Sequence, residues 1–242
     1  MKDYLKKILG LGVIGTSNGP DNDAWVIERI KEIPDGWRIL DAGAGECEFK
    51  KYCSNLNYVS QDFAKYNGKG NNVGIQMGEW DNSNIDIVSD ITSIPEPDGS
   101  FDAILCTSVF EHIADPISAV KEFSRLLKKG GILILTAPFT SMTHFAPYHF
   151  STGFNRYFFE EILPRYGLSI SEIKMNGNFF DATAEKIYIL PEITKRYTTA
   201  SYTLLDRIIS VLVLIWLSRF AKKDIGSNEL LAFRVYLRAV KK

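Results

Sequence analysis

Three short apolar runs near the start of the chain each lead into an aspartate: "RIL" into Asp41, "NYVSQD" into Asp62 and "IDIVSD" into Asp90. Runs of Ile, Leu, Val and Tyr bounded by Gly, Pro, Asn and Asp read as strands. Between and around them the apolar spacing becomes helical. "GPDNDAWVIERIKEI" opens on Asp and Asn, then sets Trp25, Val26, Ile30 and Ile33 near helical spacing. Asp115 and Pro116 form an N-cap and first-turn pair ahead of Ile117, Val120, Phe123 and Leu127, and Lys128, Lys129 and Gly130 close that helix. "FDAILCTSV" and "GILILTAPF" are the fourth and fifth strands, apolar throughout as strands covered on both faces are. "FFEEILPRYG" reads as a helix, "LSISEIKMN" as a sixth strand and "LLAFRVYLRAVKK" as a seventh. Strands alternating with helices predict the α/β class: an open, mostly parallel seven-stranded sheet with helices on both faces and a helical insertion, 177–228, before the last strand.

A chain of 242 residues fits one domain. The division expected is an N-terminal helical cap (1–36), a cofactor-binding core (37–140), and an acceptor-side loop with the last two strands (141–242). "MKDYLKKILGLGVIG" is basic and briefly apolar without a cleavage site, which predicts a short helix rather than a signal peptide. With 28 basic and 29 acidic residues spread along the chain, nothing marks a nucleic-acid binder. Cys47, Cys53 and Cys106 lack zinc spacing and suit a reducing, cytoplasmic setting. The stretch "YNGKGNNVGIQMGEWDNSN", 66–84, is too rich in Gly and Asn for a helix and predicts a long loop beside the strand ends, a lid or an irregular connection.

In open α/β sheets ligands bind beyond the carboxyl ends of the strands. The first such end here is "DAGAGECEF", where Gly43 and Gly45 let the backbone turn tightly and approach a ligand. A dinucleotide needs Gly-x-Gly-x-x-Gly and a pyrophosphate on the following helix. Glu48 occupies the last glycine position and Glu46 precedes it, so two carboxylates would oppose that phosphate. A ligand with cationic groups and ribose hydroxyls but no phosphate suits the acids better, as S-adenosylmethionine does.

These pieces together carry a family resemblance. "RILDAGAGECEF", "YVSQDF", "DIVSDITSIPEPDGSFDAILCTSVFEHIADP" and "EFSRLLKKGGILILTAPF" resemble the class I S-adenosylmethionine-dependent methyltransferases of the type 11 group. The resemblance spans Arg38 to Phe139. It implies that Asp41, Ala42, Gly43 and Gly45 hold the methionine part of S-adenosylmethionine. By the same resemblance Asp62 and Phe63 meet the ribose side, Asp90 and Ile91 read the adenine, and Thr107 and Ser108 line the methionine end. S-adenosylhomocysteine is the implied product. Where the family usually has a third glycine, this chain has Cys47.

All three histidines follow strand ends: His112 after the fourth, His144 and His149 after the fifth. Methyl transfer from a sulfonium chiefly needs positioning, and a hydroxyl acceptor also benefits from a base. His149, then His144 or His112, is the candidate base, against structural roles in which His112 orients its loop and His144 is simply buried. Tyr148, Arg156 and Tyr157 are candidate acceptor-pocket residues. The acids sit singly at separate strand ends, so no metal is expected. The pieces "TAPF", "HFAPYHF" and "TGFNRYF" look like those of relatives in surface-polysaccharide or glycolipid pathways, which implies O-methylation of a small-molecule or glycan acceptor. N- or C-methylation, and a non-catalytic binding scaffold, are the alternatives. The apolar run 208–217 would extend about 15 Å as a helix, half a bilayer core. Within 204–220 it fits core packing, a homodimer interface, or a surface helix at the inner face of the membrane with Arg207, Arg219, Lys222 and Lys223 at the headgroups.

Overall fold

A computed structural model describes residues 14–242. The helix expected at 1–15 lies, but for its last two residues, outside the described residues. The elements run α1 (Asn18–Lys31), β1 (Arg38–Ala42), β2 (Asn57–Asp62), β3 (Ile87–Val88), β4 (Phe101–Thr107), α2 (Pro116–Leu126), β5 (Leu127–Pro138), α3 (Arg156–Arg165), β6 (Leu168–Asn176), α4 (Phe179–Tyr197), α5 (Leu204–Ala221) and β7 (Arg234–Lys241). The seven strands form one sheet in the order β3-β2-β1-β4-β5-β7-β6. Strands β1 to β5 pair in parallel, and β7 runs antiparallel to β5. The predicted class is the observed one, with α4 and α5 as the helical insertion before the last strand.

Side chains alternate across a strand, so the two faces can be read separately. Ile39, Ala103, Leu105, Ile132 and Ile134 share one face and pack with Trp25, Val26 and Ile30 of α1 and with Phe49 and Tyr236. Trp25 stacks on Tyr236 at 4.9 Å between ring centroids. Leu40, Ile104, Leu133 and Leu135 point the other way and are equally buried. In α2, Val120, Phe123 and Leu126 are buried, and the Phe123 ring meets Phe110, which meets Phe159 of α3. Asp115 caps α2 as expected, its carboxylate accepting from Ser118 N at 3.1 Å, with Pro116 opening the helix.

Several boundaries differ from expectation. The third strand is two residues long, so Asp90 lies past its end on exposed chain. Helix α2 stops at Leu126, because Leu127 turns extended and pairs with Phe101, and the Lys128 ammonium donates to Asp102 at 2.7 Å. A register shift between Phe101 and Ala103, with Gly130 at φ +79°, takes up the extra residues before the apolar run. Between β1 and β2 the chain makes only a 3-10 turn, Lys50–Tyr52, the glycine turn having used much of the connection.

The chain divides into two compact units, Asp23–Lys174 with Arg234–Lys242, and Met175–Phe233 with the described residues before Asp23. In the second, Ala184 of α4 packs against Leu214 and Leu217 of α5, with Phe180, Ile187 and Val211 around them. Thr203 and Asp206 form a reciprocal capping box that starts α5.

Candidate active site

The parallel strands bring the ends of β1, β2, β4 and β5 to one rim, and the strand order reverses between β1 and β4. There the first turn bends back through Gly43 (φ +76°) and Gly45 (φ +52°), the left-handed conformations that favour glycine. Both N–H groups at Gly43 and Ala44 donate to the Gln61 carbonyl, at 2.8 and 2.9 Å. A Cβ at Gly43 would lie 2.5 Å from Val109, and one at Gly45 would lie 2.6 Å from the Trp80 ring, so neither position tolerates a side chain. Cys47 is also left-handed, at φ +57°, which accounts for a glycine being the easier residue there.

Asp41 is 2% exposed and receives the Tyr58 hydroxyl at 2.6 Å. Burial pushes its carboxyl up to about 7, the Tyr58 bond pulls it down, and neighbouring Asp62 pushes it up again. Asp62 is buried, with one oxygen accepting from Gly45 N at 3.1 Å and the other from Ala64 N at 2.8 Å. Those bonds hold the carboxylate across the turn and leave each oxygen a further lone pair. Ala42 is buried and in register with Gln61, and the Phe63 ring meets Tyr148 edge-on at 4.9 Å. Asp90 behaves differently. It is exposed and closes a local turn onto Thr92, which holds its carboxyl below the usual range, with half-buried Ile91 inside that turn. Thr107 ends β4 opposite Thr136, and Ser108, left-handed at φ +56°, takes the Arg234 guanidinium on its hydroxyl.

The three histidines meet just beyond this rim. His112 ends a 3-10 turn after β4, and the loop after β5 carries His144 and His149 against it. Ring centroids are 4.6 Å apart for His112–His144, 4.9 Å for His144–His149 and 5.9 Å for His112–His149. His112 Nδ1 bonds the Tyr148 carbonyl at 2.6 Å, and His144 Nδ1 the Met142 carbonyl at 2.8 Å. Burial and the neighbouring imidazole of His144 lower His112 to about 3, burial likewise lowers His144, and burial lowers His149. In all three, burial favours the neutral imidazole. His149 Nε2 lies 3.1 Å from the Ser141 hydroxyl. Tyr148 is thus brought to the cluster, whereas Arg156 pairs with Glu160 on its own helix and Tyr157 is 62% exposed.

The loop 66–84 has no helix and lies over this corner. Ile75 N donates to the Thr143 carbonyl and Phe145 N to the Ile75 carbonyl, each at 3.0 Å. Phe145 stacks on Tyr66 at 4.2 Å and on His112 at 4.9 Å, and Trp80 meets Phe145 edge-on. Asp81 N donates to Glu46 of the glycine turn.

Residues 40–135 match a family model described as a methyltransferase domain. Residues 40–135 thus carry a methyltransferase domain, set in a sheet with the fold of solved S-adenosylmethionine-dependent methyltransferases. A demethylmenaquinone methyltransferase of Deinococcus radiodurans is 26% identical over 204 residues, covering 78% of this chain and 74% of that protein. A ubiquinone biosynthesis O-methyltransferase of Xanthomonas oryzae pv. oryzae is 31% identical over 104 residues, 42% of this chain and 43% of the relative, so this chain spans under half of that relative's length. A solved S-adenosylmethionine-dependent methyltransferase from Archaeoglobus fulgidus shares the fold, with a TM-score of 0.56, 16% identity and 99% of each chain covered.

The rim of this methyltransferase suits its cofactor. The glycine turn holds no Lys or Arg between Asp41 and Phe49, and a buried carboxyl stands beside it for a cationic group. Reading the sequence missed Tyr58, Trp80, Phe145, Glu111 and Arg234. A lone Trp in a Gly/Asn-rich loop and the adjacent "EH" were available signals; the pairing of Tyr58 with Asp41 and the approach of Arg234 from β7 were not. The sequence shows no clustered Asp/Glu/His spacing, yet the fold brings ligand atoms of Glu111, His112 and His144 within 4.8 Å of one another.

Proposed function

We propose that this methyltransferase methylates a hydroxyl oxygen on a small-molecule or glycan acceptor, in a surface-polysaccharide or glycolipid pathway. The observation that carries the oxygen assignment is the partly open His149 in a histidine cluster at the sheet's carboxyl rim, where burial favours its neutral form. A neutral imidazole accepts the proton that leaves an acceptor hydroxyl, and its hydrogen bond to Ser141 fixes the ring. Asp41 would hold the cofactor's ammonium, Asp62 the ribose hydroxyls through its remaining lone pairs, and Thr107 and Ser108 the methionine end. Asp90 and Ile91 would meet the adenine edge, with Asp90 using the carboxylate oxygen that Thr92 does not engage. When bound, S-adenosylmethionine supplies a methyl group already activated on a sulfonium. Tyr148, whose ring meets Phe63, would line the acceptor pocket, with Arg156 and Tyr157 as further candidates on the following helix.

His149→Asn should lower turnover by about 100-fold or more while cofactor affinity stays within about twofold. Unchanged turnover removes His149 as base. A second reading is favoured by the two relatives, whose names concern menaquinone and ubiquinone: a quinone-pathway acceptor. S-adenosylhomocysteine release measured across sugar, glycolipid and phenolic acceptors separates the two. No release with any hydroxyl compound, alongside release with amines, overturns the oxygen assignment.

A further inference from the structure

Glu111 is the least comfortable side chain in this corner. It is 2% exposed, and its Oε2 has no hydrogen-bond partner. Its Oε1 lies 3.9 Å from His112 Nε2 and 3.8 Å from His144 Nε2, too far for hydrogen bonds. The tautomers of both imidazoles are fixed by their other nitrogens. A carbonyl only accepts, so His112 Nδ1 and His144 Nδ1 carry the hydrogens they give to Tyr148 and Met142. In neutral rings each Nε2 is then a bare lone pair. Two imidazole lone pairs and a carboxylate thus converge with no donor between them, and a carbonyl behind each imidazole is the support typical of ligating histidine.

We propose that Glu111, His112 and His144 bind one divalent transition-metal ion. Metal–ligand bonds of about 2.0–2.2 Å to N and O bring ligand atoms to roughly 3–4 Å apart, so the observed spacing, within 4.8 Å, needs closure by up to about 1.5 Å. Nitrogen donors and a single carboxylate select zinc, cobalt, nickel or iron over magnesium or calcium. Three protein ligands leave open positions toward His149, and an acceptor hydroxyl bound there would be acidified next to the base. Only this last role rests on the proposed O-methylation; the binding itself does not.

The test uses untagged protein stripped with chelator and titrated with cobalt(II) chloride, read by calorimetry and by the visible d–d bands. One equivalent should bind, with bands of a four- or five-coordinate nitrogen–oxygen site. His144→Ala, at a half-exposed position, should weaken binding at least tenfold, and Glu111→Gln should do the same. Cofactor titration and melting of each variant report whether the fold and the cofactor rim are intact. Absence of stoichiometric cobalt in the wild-type protein, or binding unchanged in well-folded His144→Ala, overturns the metal site. Failure of methyl transfer to any hydroxyl, with cobalt binding intact, overturns only the oxygen assignment.

Discussion

Asp41 shows at the scale of one residue how stability and ligand binding oppose each other. Its carboxyl ordinarily titrates near 3.8 and is raised to about 7 in the fold. A raised carboxyl contributes stability below its unfolded value and loses it as pH rises through the folded value. By pH 8 the buried charge costs at most about 4 kcal/mol. A cationic ligand needs that charge. Cofactor affinity should therefore rise about tenfold per pH unit between about 5 and 7 and level off above, when measured by calorimetry. Asp41→Asn should melt higher than wild type at pH 8 without cofactor, keep the Tyr58 bond, and lose both affinity and its pH slope. A lower melting temperature at pH 8, or an unchanged pH slope, would show that Asp41 is a structural group only.

At the scale of elements, the loop 66–84 decides how the rim opens. It carries no repeating hydrogen bonds of its own and is tied to the loop after β5 through Ile75, Thr143 and Phe145. The Trp80 ring rests on Gly45, where a cofactor approaching the glycine turn would meet it. Cofactor binding should change the environment of that indole. An emission change on adding S-adenosylmethionine, absent in Trp80→Phe, would establish the movement; an identical change in the variant would assign it to Trp25, Trp37 or Trp216 instead. A groove lined by Pro164, Leu168 and Lys242 has no part in this: Lys242 N bonds the Gly167 carbonyl at the start of β6, the end of the sheet away from the histidines.

At the scale of the whole molecule, the helix α5 has two characters. Leu214 and Leu217 are buried beside α4, while Leu205 (64%), Leu212 (60%) and Trp216 (55%) are exposed, with Ile209 and Phe220 on the same stripe. Core packing therefore accounts for one face of α5. No helix among the described residues is long and apolar enough to cross a membrane. We propose that the exposed stripe, with exposed Arg207, Arg219, Lys222 and Lys223 beside it, rests on an anionic membrane surface, where a glycolipid acceptor would be met. The protein should float with anionic liposomes at low salt, and Leu212→Glu with Trp216→Glu should abolish this. No flotation, with a dimer in solution that the same substitutions dissociate, would assign the stripe to a second copy.

The sequence by itself determined the sheet, the capped helix after Asp115 and the acids of the first two strand ends. These are written in local periodicity, capping residues and glycines, which act over a few neighbouring positions. Boundaries were less legible where tertiary pairing intervened: Leu127–Gly130 joined a strand because Phe101 and Asp102 stood beside them, and β3 kept only the two residues that β2 could pair. The corner holding Glu111 was decided by tertiary structure alone. His112 and His144 are far apart in the chain, and only the parallel order of β4 and β5 sets their loops side by side, with Arg234 arriving from an antiparallel neighbour. Spacing along a chain cannot express a distance between loops, so the gathering of one carboxylate and three imidazoles appears only once the sheet has formed.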